Sequence, residues 1–363
     1  MRKFVVPLLF FVGLLSAVFI VDAAPASGTP KKTVEAEQFT PDEYGVYRID
    51  HVVYYSSTGK NPSSLSAHGF YDMTEDVTEL VIRDEVNGIP VVGVSGQDPY
   101  GGDNPSAPIK RPDLSRVKKV VIGKNVSYIS AYAFGEMSAL KTVEIKGGLR
   151  VLGQRAFFKC KNLKEINLSN GVQYIKDFAF YGCKKLKTAI LPDNLREIGN
   201  KAFAHTGLTE ITIPKRCRTI GSYAFAYCPK LKSLTLRGNS TYCLLAERAF
   251  CGNSKLETVK IGKNTALILS NNVFNNCTAL KTLTLPAKTL EIFVHALSGV
   301  PLQKIRLRMS NPASLRAVGT KKNVSFVNVL LKDCTAVVVN SEMKQALKDY
   351  GWQGKILINE KLA

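Results

Sequence analysis

Between residues 117 and 310 the chain repeats one hydrophobic pattern with a period of 22 to 25 residues. The pairs Ala133-Phe134, Ala156-Phe157, Ala179-Phe180, Ala202-Phe203, Ala224-Phe225 and Ala249-Phe250 continue as Val273-Phe274 and Ala296-Leu297. Their second members lie 23, 23, 23, 22, 25, 24 and 23 residues apart, and an aliphatic residue stands five positions before each, from Ile129 and Leu152 to Leu269 and Ile292. A second frame, apolar at relative positions 0, 3 and 5, runs between the pairs, as in Leu140, Val143, Ile145 and Leu231, Leu234, Leu236. The step from 3 to 5 is the alternation of a short strand, and Pro192, Pro214 and Pro286 end three of these strands. One unit has too little apolar surface to fold alone, so about eight of them must stack into a solenoid with a continuous core.

The pattern L-x-x-[IL]-x-[IL]-P followed by I-G-x-x-A-F-x-x-C, as in EITIPKRCRTIGSYAFAYCPKL from Glu210 to Leu231, resembles the leucine-rich repeats of the BspA-like class. The resemblance implies an α/β repeat: a leucine-rich-repeat solenoid of about eight coils of 22 to 25 residues, capped at both ends. It places an N-terminal unit at 46–116, the solenoid at 117–310 and a strand-helix-strand cap at 311–363. In that cap Ser341 is positioned to cap a helix through Tyr350, and Gly351 to end it. Two positions depart from the family pattern: His51, where glycine is usual, and Asn340, where proline is common. Residues 95–116, with four prolines, three glycines and no apolar period, read as an inserted surface loop. Asp98, Asp103 and Asn104 within it are a weak calcium pattern, far short of an EF-hand loop.

Arg2 and Lys3, an apolar run from Phe4 to Val21 and small residues at Ala23 and Ala24 have the layout of a secretory signal peptide over 1–23. Residues 24–45, rich in Pro, Thr, Lys and Glu, read as a flexible leader, and no later apolar stretch is long enough to span a membrane after cleavage. The formal charge of +20, from 49 Lys and Arg against 29 Asp and Glu, favours anionic partners. Export argues against nucleic acid. Catalytic motifs are lacking: there is no P-loop, no G-x-G-x-x-G and no G-x-S-x-G, and His51, His68, His205 and His295 fall in separate units without a partner at a readable spacing. The chain therefore reads as a non-enzymatic protein without cofactor or metal.

Three sets of residues remain as candidates. Cys160, Cys183, Cys228 and Cys277 sit three residues after a repeat phenylalanine, in a slot that elsewhere holds Met137, Thr206 and Asn253. Buried free thiols packing as small hydrophobes are the expected state, with a Cys160–Cys183 disulfide as the alternative. Lys118, Lys141, Lys164, Lys187, Lys232 and Lys281 follow the first residue of the strand frame and should stack as a basic column at about 5 Å per coil. This column is either a solvated edge or a track for an anionic glycan. The outward strand positions form a concave ladder of Glu144, Asn167, Ile190, Thr212, Thr235, Lys260, Thr284 and Arg306, mixed and mildly polar, as suits a protein partner. Resemblance to the family implies adhesion at a cell surface, to host matrix or cell-surface proteins.

Overall fold

The computed structural model describes residues 38–42, 46–55, 63–70, 77–95, 113–168, 170–238, 242–293, 295–311, 334–349 and 352–362. The expected signal peptide and most of the leader lie outside these residues, as do Asp98, Asp103 and Asn104, the first part of the closing unit, and Tyr350 and Gly351 at the expected helix end.

Each coil is joined to the next along three ladders. In the first, the 0-3-5 frame is a strand with its apolar members turned inward: in Glu210–Ile213, Ile211 and Ile213 are buried while Glu210 and Thr212 are exposed. These strands pair in parallel with equivalent residues opposite one another, Thr212 against Thr235 and Thr235 against Lys260. The second ladder comes from the aliphatic residue five positions before each phenylalanine. It lies in a strand of two or three residues, such as Tyr174–Ile175 or Leu267–Leu269, and these short strands join the N-terminal strands in one 13-stranded sheet. Two residues are too few to show an alternation, so the sequence pattern reveals the buried aliphatic but not the strand.

The third ladder is the Ala-Phe segment, which forms successive turns rather than a helix. The residues two before and two after each phenylalanine have left-handed backbone: Tyr132 and Glu136 (φ 59° and 64°), Arg155 and Lys159 (φ 56° and 54°), Tyr223 and Tyr227 (φ 57° and 55°). Left-handed backbone is unfavourable for residues other than glycine. Here it turns every second N–H toward the following coil: Tyr132, Phe134 and Glu136 donate to the carbonyls of Gln154, Ala156 and Phe158 at 2.9, 2.9 and 2.6 Å. The next coil repeats this, Arg155, Phe157 and Lys159 donating to Asp177, Ala179 and Tyr181. At the start of the turn, Gly153 leaves no space for a side chain, since a Cβ there would stand 2.4 Å from the Ile129 carbonyl oxygen.

Down the centre runs a stack of phenylalanines. Phe134, Phe157, Phe180, Phe203, Phe225, Phe250 and Phe274 follow one another with ring centroids 5.4, 5.5, 5.0, 5.1, 5.1 and 5.8 Å apart, all fully buried. Phe70 of the N-terminal unit extends it at 6.1 Å from Phe134.

The ends close this stack with different local chemistry. At the N-terminal end, Tyr47–Ile49 and Val52–Tyr55 form a hairpin whose turn residues, Asp50 and His51, both have positive φ (47° and 67°). This is the conformation that glycine at position 51 would adopt freely. At the C-terminal end, Thr335–Val338 pairs in parallel with Lys304–Leu307, helix Ser341–Asp349 follows, and Ile356–Ile358 adds the last strand. Asn340, not Ser341, caps the helix: its Oδ1 accepts the Met343 N–H at 2.9 Å, and Ser341 is the first helical residue. Among the described residues this is the α-helix of the chain, so the helical part of the expected α/β repeat is confined to the closing unit and the coils are strands and turns.

Phe180→Ala removes an internal ring of the stack and is expected to cost about 3 to 5 kcal/mol. Chemical denaturation should show lowered cooperativity, because both neighbouring coils lose a face of their core. A loss below about 1 kcal/mol would mean the repeat is not a packing period.

Candidate functional site

The lysine column forms as the spacing predicts. Lys141 N–H donates to the Lys118 carbonyl at 2.8 Å, Lys164 to Lys141 at 3.3 Å and Lys187 to Lys164 at 2.8 Å, so the main chain itself holds the lysines in register. Thr209 and Glu257 continue the column either side of Lys232, and Lys281 opens its last section with Gln303. Lys118, Lys141, Lys164, Lys187, Lys232 and Lys281 are all exposed. Lys161, Lys184, Lys185, Lys230 and Lys255 lie on the adjoining turn and are exposed too. Among the described residues none of these eleven takes part in an ion pair; the acids pair instead with residues such as Lys119, Lys124, Lys159 and Lys176.

The outward strand ladder is also in register, but it is not one continuous sheet. Its strands form four hydrogen-bonded groups, with breaks after Thr142–Ile145, Thr188–Ile190 and Thr258–Ile261. Glu144, Asn167, Ile190, Thr212 and Lys260 are exposed, whereas Thr235, Thr284 and Arg306 are half-buried. At the middle break a depression of about 190 Å³ opens between Thr188–Ile190 and Glu210–Ile213, lined by Ile190, Glu210, Thr212, Pro214 and Arg237. Ile190 is 55% exposed on its rim, and Arg237 is held by Asp193 at 3.1 Å. Two residues before each ladder position runs a second outward column, Thr142, Glu165, Thr188, Glu210, Ser233, Thr258, Thr282 and Lys304. The same period-2 signal would have identified it.

The Ala-Phe turns carry an arrangement that the apolar period conceals. The left-handed residues before the first six pairs read Tyr132, Arg155, Phe178, Lys201, Tyr223, Arg248, alternately aromatic and cationic, and Asn272 ends the series. Arg155 lies over Tyr132 and Phe178 at 5.4 and 5.1 Å, Lys201 over Phe178 and Tyr223 at 5.3 and 5.6 Å, and Arg248 over Tyr223 at 5.6 Å. Beside them a second set of rings stacks along the axis: Phe158 to Tyr181 at 5.4 Å, Tyr181 to His205 at 5.2 Å and His205 to Tyr227 at 5.2 Å. His205 and Tyr227 are exposed; Phe158 and Tyr181 are half-buried. The polar-looking slots hid both ladders, because a hydrophobic period scores each of these positions as variable.

The described residues contain no group of three His, Cys, Asp or Glu placed to hold a metal ion, and no helix long and apolar enough to cross a membrane. What the geometry defines is a leucine-rich-repeat solenoid with long, regular, solvent-facing columns. The BspA type leucine rich repeat region matches in six copies over residues 113–232 and 197–316, and the chain belongs to this family. Among solved structures it is similar to a leucine rich repeat protein of T. pallidum, with 22% identity, a TM-score of 0.45 and 67% of this chain and 91% of that one covered. It is similar also to a leucine rich cell surface protein of Faecalibacterium prausnitzii (18% identity, TM-score 0.38, 73% and 89% covered). A third is the pneumococcal vaccine antigen PcpA (16% identity, TM-score 0.36, 86% and 98% covered). No curated protein matches the chain.

The cysteine slot proves to be a hydrogen-bonding position rather than a purely apolar one. Cys160, Cys183, Cys228 and Cys277 donate from Sγ to the carbonyls of Phe134, Phe157, Phe203 and Phe250 in the preceding coil, at 3.1, 3.2, 3.2 and 3.2 Å. Asn253 does the same, its Nδ2 donating to Phe225 and Phe250 at 2.9 and 2.7 Å, and Thr206 Oγ1 donates to Phe203 at 2.9 Å. Cys, Asn and Thr thus share the slot because each supplies a small donor to a buried carbonyl. Met137, which has no such donor, occupies the first coil.

All eight cysteines are free and buried, including Cys217, Cys243, Cys251 and Cys334. Burial pushes the thiols of Cys160 and Cys277 up to about 12 and that of Cys228 up to about 11. A maleimide at pH 8 should therefore leave the folded protein unlabelled and modify these thiols once guanidinium is added. Intact mass lower by two protons, traced to Cys160 and Cys183, would instead establish the disulfide. Because the folded state holds these thiols protonated, the stability they contribute is complete below the ordinary thiol value of 9.0 and is lost as pH rises toward about 12.

Proposed function

We propose that the chain is exported and acts at a cell surface as a non-enzymatic binding protein, holding a protein partner on the outward strand ladder. The observation that carries this reading is the depression beside Ile190, where an exposed aliphatic side chain, the Glu210 carboxylate and the Thr212 hydroxyl meet on a rigid sheet. A partner's side chain seated there would meet apolar groups such as Ile190 and Pro214 beside polar ones such as Glu210, Thr212 and Arg237, the mixed lining of a non-obligate interface. The flanking ladder, from Glu144 and Asn167 to Thr235, Lys260, Thr284 and Arg306, extends the contact along the axis.

Ile190→Arg combined with Thr212→Arg should leave the thermal melt unchanged, since both side chains are exposed, and reduce binding to whichever of a panel of immobilised host matrix proteins the wild type retains by at least about tenfold. Undiminished binding by the double variant would move the interface off this ladder.

A second reading is favoured by the eleven lysines that have no ion pair among the described residues: the column is a track for an anionic glycan. Charge held along one line concentrates potential in a way that scattered charge does not. Replacing Lys141, Lys164, Lys187 and Lys232 by Gln should shift elution from heparin to lower salt than replacing Lys215, Lys263, Lys288 and Lys355, four exposed lysines away from the column. Equal elution for the two variants would show that the column is a solvated edge.

A further inference from the structure

We propose that the Ala-Phe turn face, from Phe158 to Tyr227, is the seat of an acidic polysaccharide, with the stacked ring edges as its bed and the alternating cations as its anion contacts. The inference rests on the glycan reading of the lysine column and adds to it a site and a mode of recognition.

The argument begins with which parts of the rings are free. Phe158 and Tyr181 lie face to face, as do His205 and Tyr227, while Tyr181 meets His205 edge to face at 69°, and in the adjoining column the faces of Phe178 and Tyr223 are taken by Arg155, Lys201 and Arg248. What remains for a ligand is ring edges. An aromatic ring is electronegative on its face and electropositive at its edge. With cations laid against the faces of Phe178 and Tyr223, the strip carries positive charge beside a surface that is largely ring carbon.

That combination selects among polyanions. A single-stranded nucleic acid binds by laying bases on free ring faces, and those faces are occupied here. A polysaccharide carrying carboxylates or sulfates needs donors and cations for its anions and a close-fitting apolar surface for its sugar C–H groups. The cations recur on every second coil, at Arg155, Lys201 and Arg248, a step of about 10 Å from the strand spacing. This is close to one disaccharide of an extended chain, so a polymer charged on alternate sugars would meet Arg155 and Lys201 one repeat apart, with Arg248 already paired to Glu247.

Acids on this strip are already engaged. Glu136 pairs with Lys159 at 3.6 Å, Glu247 pairs with Arg248 at 2.9 Å, and the Asp177 carboxylate accepts from the Asn200 main-chain and side-chain N–H groups at 2.7 and 3.2 Å. Lys201 and Lys184 have no ion pair among the described residues, and they stand on either side of His205. Burial, and then the charges of these two lysines, hold the His205 imidazole below its ordinary value, so it is neutral at neutral pH. Lys184 belongs to the turn beside the lysine column, which makes the strip and the column one continuous basic region.

The test uses a change that removes rings without changing charge. His205 and Tyr227 have φ of 58° and 55°, and the equivalent residues of the flanking coils are Gly182 and Gly252 with φ of 73°, so the fold already accepts glycine in this slot. Affinities of the mature wild type, His205→Gly/Tyr227→Gly and Lys141→Gln/Lys164→Gln/Lys187→Gln/Lys232→Gln would be measured at physiological salt. The probes are a heparin-derived hexasaccharide and a hyaluronan hexasaccharide, which separate a sulfated from a carboxylated ligand. We expect the glycine double variant to lose about tenfold for at least one of them at unchanged net charge. In the wild type, the His205 imidazole resonance should move on ligand addition while those of His51 and His68 stay in place. That measurement decides the question even if the double variant melts early. Wild-type affinity in the glycine variant with an unmoved His205 resonance would overturn the proposal, and a loss confined to the lysine variant would then leave the column reading standing. Failure of the wild type to bind either hexasaccharide would overturn both.

Discussion

Everything in this molecule depends on one coil lying flat on the next, and the phenylalanine stack is the contact that sets that distance. Ring centroids 5.0 to 5.8 Å apart, in seven consecutive coils, hold the coils near the spacing of hydrogen-bonded parallel strands. Both kinds of ladder can form only at that separation. Burial of the rings supplies apolar contact that no single coil contains, which is why the unit of stability is a pair of neighbours and not a coil.

Close approach of the coils brings a cost at the Ala-Phe turn, where main-chain carbonyls are buried with the rings. The structure meets it in two ways. Left-handed residues such as Arg155 and Lys159 direct alternate N–H groups into the next coil, and each pair of such residues brackets a phenylalanine. The slot three residues later then supplies a side-chain donor to a phenylalanine carbonyl, that of the coil before from Cys or Asn and that of the same coil from Thr206. The cysteines are thus part of the main-chain hydrogen-bond accounting, and buried thiols held protonated suit that task.

The same regularity turns residue choice into surface design. A side chain at a fixed offset meets its own equivalents above and below, so a lysine after the strand leucine becomes a column, and rings one or two residues after phenylalanine become a stack. In a globular domain eleven exposed lysines would scatter; here they line one edge and its adjoining turn, with Glu257 the acid among them. The outward strand face, the lysine edge and the ring-and-cation strip are three surfaces of different chemistry on one scaffold. Its rigidity makes each a preorganised one.

The amino-acid sequence by itself determined the solenoid, the coil boundaries, the inward aliphatics and phenylalanines, and the lysine and strand columns, because all of these follow from a period that can be counted. Lys141 stacks on Lys118 and Thr235 on Thr212 with no more information than their offsets. The tertiary structure alone decided features that depend on which atoms of adjacent coils meet. The donor role of Cys160 requires knowing that its sulfur reaches the Phe134 carbonyl 26 residues back, and the cap at Asn340 requires the chain's direction as it leaves the last strand. The break in the sheet beside Ile190 and the alternation of Arg155, Phe178, Lys201 and Tyr223 are invisible to a hydrophobic period for a common reason. Hydrophobic pattern reports how often a position is buried, whereas these features arise from the chemistry of contacts between exposed or half-buried neighbours in different coils.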